Sequence, residues 1–298
     1  MRRSTRKGYI QVKGGKVWYS ISGRNKSLPP IIVLHGGPGA SHYYMKPLRG
    51  LASERPVILY DQLGCGKSDK LKDKSLWTIE HYTEELDDIR NALGLERLHI
   101  LGQSWGAMVA VEYMLTRAPK GVISLVLSAP SLSAPRWHED CRSLILEMSE
   151  KDCRIIMDSE ASGNFNSSAY RRATFAFYRK HLCRLKPWPV CVMRTLMSLR
   201  KDIYNYMWGP SEFTITGTLK DYDRSDELEN IDKPALFTCG RYDEATPEST
   251  EYFHMMTPRS EFVVFEDASH MHHVEKTRLY LNTVRSFLAR AEEFEVVS

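Results

Sequence analysis

One short segment carries the strongest chemical signal in the chain: Gly102-Gln103-Ser104-Trp105-Gly106. It follows the apolar run Leu98-His99-Ile100-Leu101 and precedes Ala107-Met108-Val109-Ala110, so the text reads strand, turn, helix. A sharp strand-to-helix turn needs small residues on both flanks, and it lifts the serine hydroxyl above the sheet at a helix N-terminus. Ser104 is therefore the candidate nucleophile. A glycine-rich turn with an incidental serine is the competing reading. A second segment, His35-Gly36-Gly37-Pro38-Gly39, follows the run Ile31-Ile32-Val33-Leu34. Its small residues let backbone N–H groups point inward. The N–H of Gly37, with that of Trp105 directly after the serine, would hold the oxyanion of a tetrahedral intermediate. A phosphate-binding loop is the alternative, but no dinucleotide fingerprint is present. Leu63-Gly64-Cys65-Gly66-Lys67-Ser68 imitates the end of a Walker motif, yet the position five before Gly66 is Asp61 and not glycine. We read that segment as a structural turn.

A serine nucleophile needs a base, and the base needs an orienting acid. On an α/β scaffold their chain order is serine, acid, histidine. Asp243 ends Cys239-Gly240-Arg241-Tyr242-Asp243, just past the run Ala235 to Cys239. His270 ends Glu266-Asp267-Ala268-Ser269-His270, just past Glu261 to Phe265. Both fall at the same edge of the expected sheet as Ser104. Asp267 is too close to His270 in the same loop to be the first choice of acid. His272 and His273 compete with His270 for the base. The His270-Met271-His272-His273 cluster lacks an acidic or cysteine partner at ligand spacing, so neither a metal nor a cofactor is expected. His42, His81, His99, His138, His181 and His254 read as surface or structural.

These residues must be held by a sheet. Ile31 to Leu34, Val57 to Tyr60, Leu98 to Leu101 and Val122 to Leu127 are short, continuous apolar runs, the pattern of strands buried on both faces. Tyr9 to Val12 and Val17 to Ser22 flank a Gly14-Gly15 turn and read as a hairpin. Thr78 to Leu93 and Ala107 to Leu115 have helical spacing, and Arg278 to Ala291 reads as a terminal helix. Alternating strands and helices predict a mostly parallel sheet with helices on both faces. The pattern breaks after Ser131. From about Ala134 to Glu229 the text is helical and rich in Arg, Met and aromatics. The expectation is an α/β core, residues 1–132 and 232–298, interrupted by a helical cap, 133–231.

The chain has 298 residues, 42% hydrophobic and 26% charged, enough for one large core and too ordered a composition for disorder. Its 41 basic and 37 acidic residues leave a net charge of +4, too weak to argue for nucleic acid. No apolar run is long enough to span a membrane. The basic start, Met1 to Lys7, is followed by strand-like text instead of an apolar segment, so no secretory signal is expected and the cytoplasm is favoured. Six irregularly spaced cysteines suit free thiols in a reducing compartment, with Cys183 and Cys191 the one pair left open as a disulfide.

Taken together, the sequence resembles the α/β-hydrolase proline iminopeptidases, most closely the tricorn-interacting aminopeptidase branch. The likeness covers His35 to Gly39, Asp61 to Ser68, Gly102 to Gly106, Gly240 to Pro247, and Gly209 to Leu219 within the insertion. It implies a serine aminopeptidase that removes N-terminal residues, often proline, from peptides. It also implies that Glu212, in Glu212-Phe213-Thr214-Ile215-Thr216-Gly217-Thr218, and Glu244, directly after Asp243, hold the substrate's ammonium group. A cation entering a partly desolvated pocket needs such carboxylates. Outside that resemblance, Glu212 also reads as a solvated charge. An amino-acid amidase or esterase on the same scaffold is the alternative function.

Overall fold

The computed structural model describes residues 5–23 and 26–297; Met1 to Ser4, the start of the basic N-terminal stretch, lie outside the described residues. Among the described residues eight strands form one sheet: β1 (Thr5–Val12), β2 (Gly15–Ser22), β3 (Ile31–Leu34), β4 (Val57–Tyr60), β5 (Leu98–Gln103), β6 (Val122–Ser128), β7 (Ala235–Gly240) and β8 (Ser260–Phe265). Their order is β1-β2-β4-β3-β5-β6-β7-β8. The β1–β2 hairpin and the β2–β4 pair are antiparallel, and every pair from β4 through β8 is parallel.

The parallel strands are apolar because both their faces are covered. All four residues of β3 are buried, but they alternate in destination. Ile32 and Leu34 join one hydrophobic cluster, while Ile31 and Val33 join another across the sheet. The first cluster takes in α1 (Ile79–Leu93) and α2 (Trp105–Arg117). The hairpin is longer than its apolar text suggests, since β1 begins at Thr5. As an edge strand, β1 can carry Arg6 and Lys7 outward without losing its ladder.

Five helices run between β6 and β7: α3 (Ala134–Leu146), α4 (Glu150–Ser162), α5 (Ser168–His181), α6 (Val190–Met197) and α7 (Lys201–Met207). Serines cap three of them: the hydroxyls of Ser133, Ser149 and Ser167 accept from the N–H groups of Arg136, Asp152 and Tyr170. Trp137, Ile145, Ile156, Tyr170, Phe177 and Phe213 all join the first cluster, so the helical segment shares the core of the sheet. After it come α8 (Pro247–Met256), α9 (His272–Glu275) and α10 (Thr277–Val297). The second cluster includes Tyr280, Val284, Phe287 and Leu288 of α10, which therefore covers the opposite face. All six cysteines are free, Cys183 and Cys191 included.

One ion pair ties the far end of the helical segment to α2. Arg224 donates from Nε to Glu112 Oε2 at 2.8 Å and from its terminal nitrogen to Oε1 at 2.9 Å. The Glu112 side chain is 2% exposed and that of Arg224 is 30% exposed. Removing the guanidinium strands a buried carboxylate, whereas the partial exposure of Arg224 moderates the loss. Arg224→Met is expected to lower stability by about 2 kcal/mol in urea denaturation. A change below about 0.5 kcal/mol would class the pair with ordinary surface bridges.

Candidate active site

The elbow between β5 and α2 is set by absent side chains. A Cβ on Gly102 would sit 2.2 Å from the Gly106 carbonyl oxygen, and one on Gly106 would sit 2.2 Å from that of Leu34. No side chain fits at either position, so strand and helix can cross tightly. Ser104 between them takes φ 54° and ψ −121°, a conformation that non-glycine residues rarely adopt. Its N–H donates to the Ser128 carbonyl at 3.0 Å, which anchors the turn to the next strand.

Ser104, Gly37, Trp105, Met108, Ser131, Trp208 and Glu212 line one narrow pocket. Trp105 is the first residue of α2, so its N–H has no intrahelical acceptor. The loop carrying Gly37 is tied to the elbow through Gln62. The Gln62 N–H donates to His35 Nε2 at 3.1 Å, its amide nitrogen donates to the His35 carbonyl at 3.0 Å, and its amide oxygen accepts from Trp105 Nε1 at 2.8 Å. His35 Nδ1 bonds the Gly36 carbonyl at 2.8 Å, which makes Nδ1 the protonated nitrogen and Nε2 the acceptor. Burial lowers the pKa of His35 and favours that neutral form.

Asp243 and His270 meet directly: His270 Nδ1 bonds Asp243 Oδ1 at 2.8 Å. The Ala245 N–H donates to the same oxygen at 2.9 Å, and the Gly240 N–H donates to Oδ2 at 3.2 Å. Asp243 is thus held by the backbone of its own turn beyond β7. His270 keeps Nε2 free of Asp243, the nitrogen that a triad histidine offers to its serine. Burial disfavours the imidazolium, but the charge and hydrogen bond of Asp243, with Glu212 further off, outweigh it and raise the pKa above 6.5. The helical segment steadies this loop, since the His270 and Met271 N–H groups donate to the carbonyls of His181 and Leu182 at 3.0 Å.

The competing groups occupy other roles. His272 Nε2 is engaged by the hydroxyls of Ser128 at 3.0 Å and Thr238 at 2.9 Å. Burial pushes its pKa well down, and that of His273 to about 3, so both are neutral packing residues. Asp267 faces solvent beside Lys276, at 3.8 Å.

Glu244 is fully buried, and neither of its carboxylate oxygens has a hydrogen-bond partner among the described residues. Its Oε1 lies 4.0 Å from His270 Nδ1. Burial, then the charges of Glu212 and Asp243, raise its pKa well above the carboxylate range. Glu212 is raised too, chiefly by burial, with His270 and the Tyr204 hydroxyl pulling the other way. The Glu212 carbonyl accepts from two indoles, Trp137 Nε1 at 2.8 Å and Trp208 Nε1 at 3.1 Å. Trp137 also sets its ring edge against His270, with centroids 5.7 Å apart. Trp137, Trp208, Met108, Ser131 and Gln62 are site residues that the motifs do not mark. Tryptophans in a helical stretch read as packing, and only the Asp61 to Ser68 likeness pointed toward Gln62.

A model of the α/β hydrolase fold matches residues 29–277. The chain is 45% identical to a proline iminopeptidase of Heyndrickxia coagulans over 94% of its length and 98% of that protein. It is 37% identical to one from Lactobacillus helveticus, covering 96% of this chain and 98% of the relative. The chain belongs to the proline iminopeptidase family of α/β hydrolases. Among solved structures, the Mycobacterium smegmatis proline iminopeptidase superposes with a TM-score of 0.90 at 32% identity, covering 97% of this chain and all of that one (100%).

The raised His270 pKa gives a signed expectation. Activity that needs the neutral imidazole is lost as pH falls through that pKa, so the acid limb of kcat/KM should lie above pH 6.5. In Asp243→Asn the raising carboxylate is gone. The residual activity, lower by about 10⁴-fold, should then show an acid limb shifted to lower pH. An unmoved limb would remove His270 as its source.

Proposed function

We propose that this chain is a serine aminopeptidase that releases the first residue of short peptides, proline among them, through an acyl-enzyme. The observation that carries the reading is Glu244: a carboxylate with no exposure and no hydrogen-bond partner among the described residues, beside a second, partly buried carboxylate, Glu212, at the serine pocket. Two such groups disfavour each other's charge and are expensive to bury. A cationic ligand reverses that penalty. The free amino terminus of a peptide is a cation that lies two bonds from the carbonyl to be attacked, which suits a glutamate lining the same cavity as the serine.

In this reading the segment 133–231 is a cap over the site. Ser104 Oγ attacks the carbonyl carbon of the first residue, and its proton passes to His270 Nε2. The N–H groups of Gly37 and Trp105 receive the oxyanion. Collapse breaks the C–N bond, and His270 returns the proton to the departing amine. Water then attacks the ester with His270 again as base, and the free amino acid leaves with its ammonium still facing Glu212 and Glu244. Asp243 holds the tautomer and steadies the imidazolium. Six free cysteines support the cytoplasm as the compartment.

The test is hydrolysis of Pro, Ala, Leu and Phe chromogenic amides with and without N-acetylation, in wild type and Glu212→Gln. Only free-amine substrates should turn over, and the variant should lose about 10²-fold or more in kcat/KM. Equal turnover of blocked amides or preference for esters, with Glu212→Gln unaffected, would favour the esterase or amidase instead. A second measurement follows from the raised Glu244 pKa. Binding of the cationic substrate proline amide to the inactive Ser104→Ala variant should release a proton as the carboxylate ionises. Calorimetry in buffers of different ionisation enthalpy reads that proton, and the N-acetylated ligand should release none.

A further inference from the structure

Tyr44 sits in the 3-10 segment His42–Ser53, outside every motif of the site, and is 3% exposed. Its hydroxyl accepts the N–H of Gly36 at 2.6 Å and donates to Gln103 Oε1 at 2.5 Å. The other end of the Gln103 amide donates to the His270 carbonyl at 3.4 Å. A chain of three hydrogen bonds therefore joins the loop of Gly37, the residue before Ser104, and the backbone of the histidine. The main-chain N–H of Tyr44 donates in turn to Thr195 Oγ1 of α6 at 3.2 Å, so the helical segment grips the same residue from behind. Space around the relay is tight. A Cβ on Gly36 would stand 2.7 Å from Gln103 Oε1 and 2.8 Å from the Tyr44 hydroxyl.

We infer that Tyr44 is a positioning residue of the oxyanion hole, setting through its hydroxyl the distance between the Gly36-Gly37 loop, the serine elbow and the His270 loop. This rests on the reading of Ser104, Gly37 and His270 given above. An oxyanion donor gains its value from fixed placement at the developing charge, and small displacements forfeit much of it. The Tyr44 hydroxyl holds the Gly36 nitrogen, and His35 Nδ1 holds the Gly36 carbonyl, which shares its peptide unit with the Gly37 N–H; the two bonds together limit how far that N–H can swing. Gln103 is the second half of the device. With one amide it answers the phenol on one side and the histidine loop on the other, so neither loop moves without the other.

The experiment compares wild type, Tyr44→Phe, Gln103→Met and the double variant on proline p-nitroanilide and on an N-acetylated p-nitrophenyl ester. Tyr44→Phe is expected to lower kcat by about tenfold or more on whichever substrate turns over, with KM within about twofold, because the loss is felt in the tetrahedral state. Affinity for an aminoacyl boronate, which carries the tetrahedral geometry, should fall by a similar factor, while affinity for free proline stays unchanged. The double variant should be little worse than either single one, since both break the same relay. Unchanged kcat and boronate affinity in Tyr44→Phe would overturn the inference, as would equal losses for boronate and free proline. If Tyr44→Phe fails to fold, Gln103→Met alone carries the same split and the same two overturning outcomes. Failure of the aminopeptidase reading appears separately, as Glu212→Gln leaving free-amine and blocked substrates alike.

Discussion

The site depends on the absence of two side chains. Gly102 and Gly106 let β5 and α2 approach until no Cβ would fit between them, and Ser104 turns the chain there at φ 54°. The strain is local, and the surroundings hold it: Ser128 on one flank, Leu34 on the other, and a helix buried along most of its first two turns. Strained backbone persists where neighbouring structure leaves the residue no alternative. Everything else in the site is measured from that fixed hydroxyl. The Gln62 amide carries the measurement to the His35 loop, and the sheet carries it through β7 and β8 to the turns bearing Asp243 and His270.

Electrostatics supplies the second level. Three carboxylates, Asp243, Glu244 and Glu212, surround one imidazole in a nearly dry region. Their roles differ because their satisfaction differs. Asp243 accepts backbone N–H bonds on both oxygens and a histidine bond besides, whereas Glu244 accepts none. The first has its hydrogen bonds in place before any substrate arrives. The second is unfinished, and a bound cation completes it. Glu212 stands between these cases, with its backbone pinned by two indoles and its carboxylate opening on the cavity.

Much of this was legible in the sequence because it is written in local patterns. Continuous apolar runs give the buried strands, and strand ends followed by Gly102-Gln103-Ser104-Trp105-Gly106 or Arg241-Tyr242-Asp243 place residues at one edge of the sheet. Glu212 and Glu244 were legible only through the resemblance over Gly209 to Leu219 and Gly240 to Pro247, since glutamate is exposed far more often than buried. What could not be read is whatever depends on contacts between distant segments. Nothing in the spacing of Trp137 and Trp208 announces a shared carbonyl, and no local pattern links Tyr44 to Gln103. Arg224 and Glu112 are 112 positions apart. Pairings of that kind appear only when the chain has closed on itself. The same holds for choosing among His270, His272 and His273, which differ in their burial and partners and not in their neighbours along the chain.

The dimensions of the chamber have a consequence of their own. Ser104 is 6% exposed, and the pocket in front of it is a narrow one. A polypeptide passing through such a space would need room for chain on both sides of the reactive carbonyl. A terminus needs it on one side only. Shape and charge therefore ask the same question of a visiting chain, and a surface loop, with chain on both sides of every carbonyl and no free amine, answers neither. Such an architecture can work among intact proteins without a separate inhibitor to restrain it, because interior bonds are outside its field of view.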